Sequence, residues 1–226
     1  MMSATIVNGA PLNGGGNYLS VANQPGAALT GPKQSHVTRG VDFASVENSA
    51  AVTGVSFTVR FDEFAGGADW LAFYDVTGST YLNAPQTSWK VTMDNGFWGA
   101  FYASASNART ASNVALILGD TYTVDITLDY ADGTYATTFT NLDWETGDAG
   151  TASATLSDLT LTSSTGFGEK FAIGARVAAS ATAFEALNYS LDAIEISTAA
   201  VPEPGTGLLA LAGILTMAAR RRRPAR

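Results

Sequence analysis

TYTVDITLDYADGTYATTFTN, residues 121–141, decides the fold class. Tyr122, Val124, Ile126, Leu128 and Tyr130 alternate with Thr121, Thr123, Asp125, Thr127 and Asp129, the period of a half-buried β-strand. Asp132 and Gly133 follow, a pair that favours a turn with positive φ, and a second Thr-rich run completes the hairpin at Asn141. The same period recurs on both sides. Val55, Phe57, Val59 and Phe61 alternate with Ser56, Thr58, Arg60 and Asp62. Trp89, Val91 and Met93 share one face before the turn Asp94–Gly96, and Phe97–Tyr102 returns from it. Further strands are expected at 69–76, 154–162, 169–177 and 188–197, with edge strands at 17–21 and 37–43 joined by long Gly-rich loops.

Composition agrees. The 226 residues include 27 Thr against 3 Lys, with 8 Tyr and 11 Phe, the vocabulary of strands. No helical stripe interrupts residues 1–200, which therefore read as one antiparallel two-sheet sandwich. The number and spacing of the strands, closed by Leu191–Ser197, resemble a jelly roll of the concanavalin A-like lectin/glucanase type, with laminin-G-like relatives. That resemblance implies an architecture and no activity.

Several chemistries are excluded by residue type. Without cysteine the chain has no disulfide framework, thiolate metal site or thiol nucleophile. Its single histidine, His36, leaves no multi-His metal site, and its adjacency to Ser35 is not the geometry of a catalytic triad. Residues 1–200 carry 7 basic and 19 acidic side chains, net −12, so nucleic acid is not an expected partner. Residues 201–226 carry one acidic and five basic side chains, net +4.

The C-terminus explains that reversal. Pro202, Glu203 and Pro204 precede an uncharged run at 205–219, which ends at Arg220, Arg221, Arg222 and Arg223 within the basic cluster 220–226. As a helix the run spans roughly 22 Å, short of the ~30 Å hydrocarbon core, and it crosses if the arginines snorkel and the bilayer thins. The arginines would then stay cytoplasmic, with the body on the far side. A soluble helix would need a polar face, which Leu208 to Leu215 do not supply.

This arrangement resembles the PEP-CTERM sorting signal of Gram-negative bacteria. The resemblance implies export, transient anchoring in the inner membrane and processing near Pro202–Pro204 by exosortase, an integral-membrane enzyme whose genes commonly accompany exopolysaccharide loci. It implies a destination at the cell surface or in the extracellular matrix. Residues 1–197 are then the sandwich, 198–201 a linker and 202–226 the signal. Met1–Asn8 shows neither the basic region nor the apolar run of an export signal, so the true start is expected upstream of Met1.

Site chemistry within the body is sparse. A jelly-roll glycosidase needs two facing carboxylates, and the Glu-x-Asp-x-x-Glu run that supplies them in one such family is absent. Asp143, Glu145 and Asp148 form the densest acidic group, read either as a solvated loop or as a weak calcium site of hard oxygen ligands. No other cofactor is expected. Asp192 and Glu195 read as outward charges on an edge. Sugar stacking needs exposed rings; of Trp70, Trp89, Trp98 and Trp144, Trp89 is in phase with the core, while Trp98 and Trp144 are the stacking candidates. The resulting expectation is an exported, non-catalytic sandwich associated with exopolysaccharide. A glycan-active hydrolase on a jelly roll is the alternative, and a purely structural matrix role stays open.

Overall fold

The computed structural model describes residues 2–9, 16–23, 34–40, 52–64, 68–76, 87–94, 96–101, 109–162, 168, 170–177 and 187–198. In chain order these form β1 (Met2–Gly9), β2 (Gly16–Asn23), β3 (Gln34–Gly40), β4 (Val52–Phe64), β5 (Ala68–Val76), β6 (Lys90–Asp94), β7 (Phe97–Phe101) and β8 (Arg109–Ala115). There follow β9 (Thr121–Asp129), β10 (Thr134–Asn141), β11 (Ser153–Thr160), β12 (Lys170–Val177) and β13 (Leu187–Thr198). The larger sheet has seven strands in the order β1-β2-β13-β4-β9-β10-β11, and the smaller has six, β3-β12-β5-β6-β7-β8. All neighbours in both sheets are antiparallel. This is an all-β, jelly-roll-like sandwich.

The hairpin read from residues 121–141 forms as expected, with Asp129 opposite Thr134 and Tyr122 opposite Asn141. Gly133 turns it at φ 67°, and the Asp129 carboxylate accepts the Ala131 and Asp132 N–H groups, each at 3.0 Å. The alternating apolar residues of β4 and β9 face one core shared with Leu71, Phe73, Val91, Met93, Phe171 and Ile173 of the smaller sheet. Aromatic rings join the layers: Phe57 of β4 lies 4.7 Å from Phe73 of β5, and Phe139 of β10 stacks 5.3 Å from Trp98 of β7. Each such side chain, fully buried, contributes about 1.5–3 kcal/mol.

Asp75 follows Leu71 and Phe73 in the inward phase of β5, and it is fully buried. Its Oδ1 accepts the Ser88 N–H at 2.7 Å and the Trp89 N–H at 3.1 Å. Its Oδ2 accepts the Gly168 N–H at 2.7 Å and the Ser88 hydroxyl. The carboxylate therefore ties the start of β6 and residue 168 to β5. Burial raises its pKa above the ordinary aspartate value, and these four hydrogen bonds offset part of the rise.

Four expectations are corrected. Trp98 lies in the core with no exposed surface, because β7 points Trp98 and Ala100 inward and leaves Phe97 38% exposed. Asp192 and Glu195 do not sit on an edge: β13 runs between β2 and β4, and the two residues face Thr58 and Ser56 across a bulge. β2 is likewise internal, covered by β1, a strand with no counterpart in the expected set. β3 lies earlier than expected, at Gln34–Gly40, and β8 was not anticipated.

Candidate functional site

The residues singled out in the sequence are not brought together. Asp143 Oδ2 accepts the Thr121 N–H at 2.7 Å, whereas Asp148 Oδ2 accepts the Glu145 N–H at 2.7 Å and closes its own turn. These carboxylates satisfy separate stretches of backbone, and among the described residues no group of three or more His, Cys, Asp or Glu is placed to hold a metal ion. The loop is then stapled to β8, where Thr151 N–H donates to the Asn113 carbonyl at 2.9 Å. Trp144 is half-buried, with its indole Nε1 enclosed and without a hydrogen-bond partner. The open stacking surface expected of Trp98 does not exist, since the ring is fully buried. Pro202, Glu203, Pro204 and Arg220–Arg223, with the run 205–219, lie outside the described residues. Among the described residues no helix is long and apolar enough to cross a membrane.

A different surface carries the charge. The strands of the larger sheet hold seven acidic residues (Asp62, Glu63, Asp125, Asp129, Asp158, Asp192 and Glu195) against one basic residue, Arg60. Those of the smaller sheet hold five basic residues (Arg39, Lys90, Arg109, Lys170 and Arg176) against Asp69, Asp75 and Asp94. The larger sheet's strands thus sum to −6 and the smaller sheet's to +2, while the segments outside the strands carry −8 of the −12 of residues 1–200.

The outward side of β6, β7 and β8 shows how these cations are held. Val91, Met93, Trp98 and Ala100 point into the core, which turns Lys90, Thr92, Phe97, Gly99 and Phe101 outward. The register sets Tyr74 opposite Lys90, and Phe101 opposite Arg109. Lys90 Nζ sits 3.7 Å above the centre of the Phe101 ring, a cation–π contact. Arg109 lies flat over β7: its Nε donates to Thr92 Oγ1 at 3.0 Å and its Nη2 to the Phe97 carbonyl at 2.7 Å. Gly99 makes this possible, since a Cβ there would stand 2.8 Å from the guanidinium carbon and 2.6 Å from the Thr110 carbonyl. The guanidinium therefore occupies the gap that Gly99 leaves between the outward residues Phe97 and Phe101. Exposure rises along the row from Tyr74 at 0% and Lys90 at 7% to half-buried Phe101 and Arg109. From inside, Tyr135 donates its hydroxyl toward the Lys90 and Phe101 carbonyls, fixing β6 and β7 at this level.

Sequence reasoning missed this surface because none of its members forms a motif. Only the pairing of three strands brings Lys90, Phe101 and Arg109 together. The one usable signal was Gly99 between Phe97 and Phe101, a glycine interrupting an outward aromatic row.

Comparison with known proteins bears on both ends of the molecule. Residues 200–223 match the PEP-CTERM protein-sorting motif. No curated protein matches the chain. Among solved structures, a protein of unknown function, SO2946 from Shewanella oneidensis MR-1, is similar at 14% identity and a TM-score of 0.51, covering 89% of this chain and 77% of that one. Alginate lyase A1-II' is similar at 13% identity and a TM-score of 0.50, covering 80% of each chain. A Lotus tetragonolobus seed lectin matches at 12% identity and a TM-score of 0.46, over 88% of this chain and 94% of that one. At such identities the likeness is one of fold. The chain carries a PEP-CTERM sorting motif, the mark of an exported protein processed by exosortase, behind a concanavalin A-like jelly-roll sandwich.

Proposed function

We propose that this is a surface-sorted, non-catalytic β-sandwich that associates with extracellular polysaccharide after exosortase has processed its C-terminus. The sorting motif at residues 200–223 carries the reading, because it implies delivery to the cell surface or its surroundings. The fold is compatible: a neighbouring structure of the same architecture is named for a polysaccharide, alginate, on which it acts as a lyase. The Glu-x-Asp-x-x-Glu run that supplies a carboxylate pair in one jelly-roll glycosidase family is absent from the sequence.

The test of sorting is direct. Cells with and without exosortase are fractionated, and the C-terminal mass of the protein is read by mass spectrometry. The expected product lacks the arginine block and appears outside the inner membrane; without exosortase, or with Pro202→Ala and Pro204→Ala together, the intact chain accumulates in the membrane fraction. An intact C-terminus in exosortase-containing cells overturns the reading.

A further inference from the structure

We infer that exosortase engages the outer half of β13, residues 193–198, as an extended segment peeled from β4, so that the last strand of the sandwich doubles as the tether of the sorting motif. The inference rests on the sorting reading above and names where on the body that partner acts. Three observations carry it.

The first is distance. β13 ends at Thr198, the matched motif begins at residue 200, and Pro202 stands four residues beyond the strand. Four residues reach at most about 14 Å. The folded body is therefore held close against the prolines that mark the processing site, and an integral-membrane enzyme must close a cleft around the peptide in the space between.

The second is the construction of β13 in two halves. Leu187, Tyr189, Ser190 and Leu191 are buried, and residues 188–191 pair with both β2 and β4. Past Leu191, among the described residues, the ladder to β2 ends and only that to β4 goes on, although β2 itself continues to Gly16. Ala193, Glu195, Ser197 and Thr198 are exposed, and Ile194 and Ile196 are half-buried against the core. A stretch with one ladder and little buried apolar surface opens more readily than the core strand from which it extends.

The third is the joint between the halves. The register with β4 shifts between Asp192 and Glu195, where Ala193 takes φ 48° and donates its N–H to the Asp192 carboxylate at 2.7 Å. A left-handed alanine in a bulge breaks the ladder, so opening can stop there and leave Leu191 in place. Release as far as Asp192 raises the reach to Pro202 from four residues to ten, roughly 33–36 Å. The freed segment then offers a row of main-chain N–H and C=O groups, which an enzyme cleft reads by strand addition whatever the side chains.

The test locks the strand. Ser197 lies opposite Gly54, and a Cβ built on Gly54 stands 3.8 Å from that of Ser197, the spacing of a disulfide, in a chain with no other cysteine. The same Cβ lies 3.0 Å from the Ile126 carbonyl, so Gly54→Cys alone serves as the control for that crowding. In exosortase-containing cells the Gly54→Cys/Ser197→Cys protein should stay intact by C-terminal mass, processed at less than about a tenth of the wild-type rate. Reductant should restore processing, with wild type treated in parallel, and so should about eight Gly and Ser residues inserted after Thr198 while the lock is closed. In the full-length protein, hydrogen exchange at Glu195, Ile196 and Ser197 should outpace that at Tyr189 and Leu191. A locked protein processed at the wild-type rate overturns the inference, as does one that stays intact despite the insertion, because reach is then not what the lock removed. Equal protection of the two halves overturns it as well. In each of these cases processed wild type leaves the sorting reading standing, whereas wild type left intact overturns both.

Discussion

Removing the Asp75 carboxylate should be among the most damaging single changes in the sandwich. Asp75→Ala strands three buried backbone donors, the N–H groups of Ser88, Trp89 and Gly168, while the Ser88 hydroxyl can turn to another acceptor. A buried donor left without a partner costs about 1–3 kcal/mol, so the floor is ~3 kcal/mol, against a total domain stability of ~5–15 kcal/mol. Asp75→Asn separates the contributions. Its remaining oxygen, placed as Oδ1, still accepts from Ser88 and Trp89, but its amide then faces the Gly168 N–H, donor against donor. The expected loss is therefore about 1–3 kcal/mol, the cost of one unmade bond. Urea unfolding followed by tryptophan fluorescence, with linear extrapolation, measures both changes, and Trp89 reports from the affected segment. The expected order of stability is wild type, Asn, then Ala. An Asp75→Ala protein within ~0.5 kcal/mol of wild type, the range of an ordinary surface change, would refute the reasoning. Because the same carboxylate positions the start of β6, Lys90 should also shift from Phe101 in the Ala variant.

Three further outcomes follow from the same geometry. Trp98→Ala should cost ~3–5 kcal/mol as a buried aromatic truncation, whereas Trp144→Ala in its half-buried loop should cost clearly less; thermal melts of the two compare them. Gly150→Ala should destabilise the staple between the 142–152 loop and β8, since Gly150 holds φ 77° and a Cβ there would stand 2.2 Å from the Asn113 carbonyl; faster hydrogen exchange at Thr151 would report it. The pH dependence has a definite sign. Burial raises the Asp75 pKa in the folded state, so its protonation favours folding: the advantage of wild type over Asp75→Asn should be fullest below the unfolded aspartate pKa and decline as pH rises through the raised folded value. Urea midpoints across that range, showing instead an advantage that grows with pH, would contradict the assignment.

The sandwich was legible wherever one face of a strand was polar and the other apolar, as in β4, β9 and β10. Period two is unambiguous there, and Asp132-Gly133 fixed the register of the hairpin. It was less legible in β7, where Phe97, Trp98, Ala100 and Phe101 are all apolar or aromatic and the phase has no internal reference. Counting the core from Phe97 and Phe101 sent Trp98 outward; the structure reverses the phase because Gly99 makes room for Arg109 on the outer side. β8 was missed because RTASNVA is short of large apolar residues and only its last positions reach the core. Whether a strand is internal or at an edge depends on pairing between distant segments, so the places of β2 and β13 were not readable from their own residues. The sorting motif was the reverse case. Its order of proline–acid–proline, apolar run and arginines is local, and it needed no fold to be recognised.

The central claim, that the body of this exported protein holds polysaccharide without cleaving it, is tested most directly by titrating the intact protein with exopolysaccharide purified from the producing strain. One sample is followed by calorimetry and a parallel one for new reducing ends and for the ultraviolet absorbance of unsaturated uronates. Saturable binding with both product signals at background is the predicted result. Release of either product, abolished by a single Asp or Glu substitution, or the absence of any heat of binding, would contradict the account.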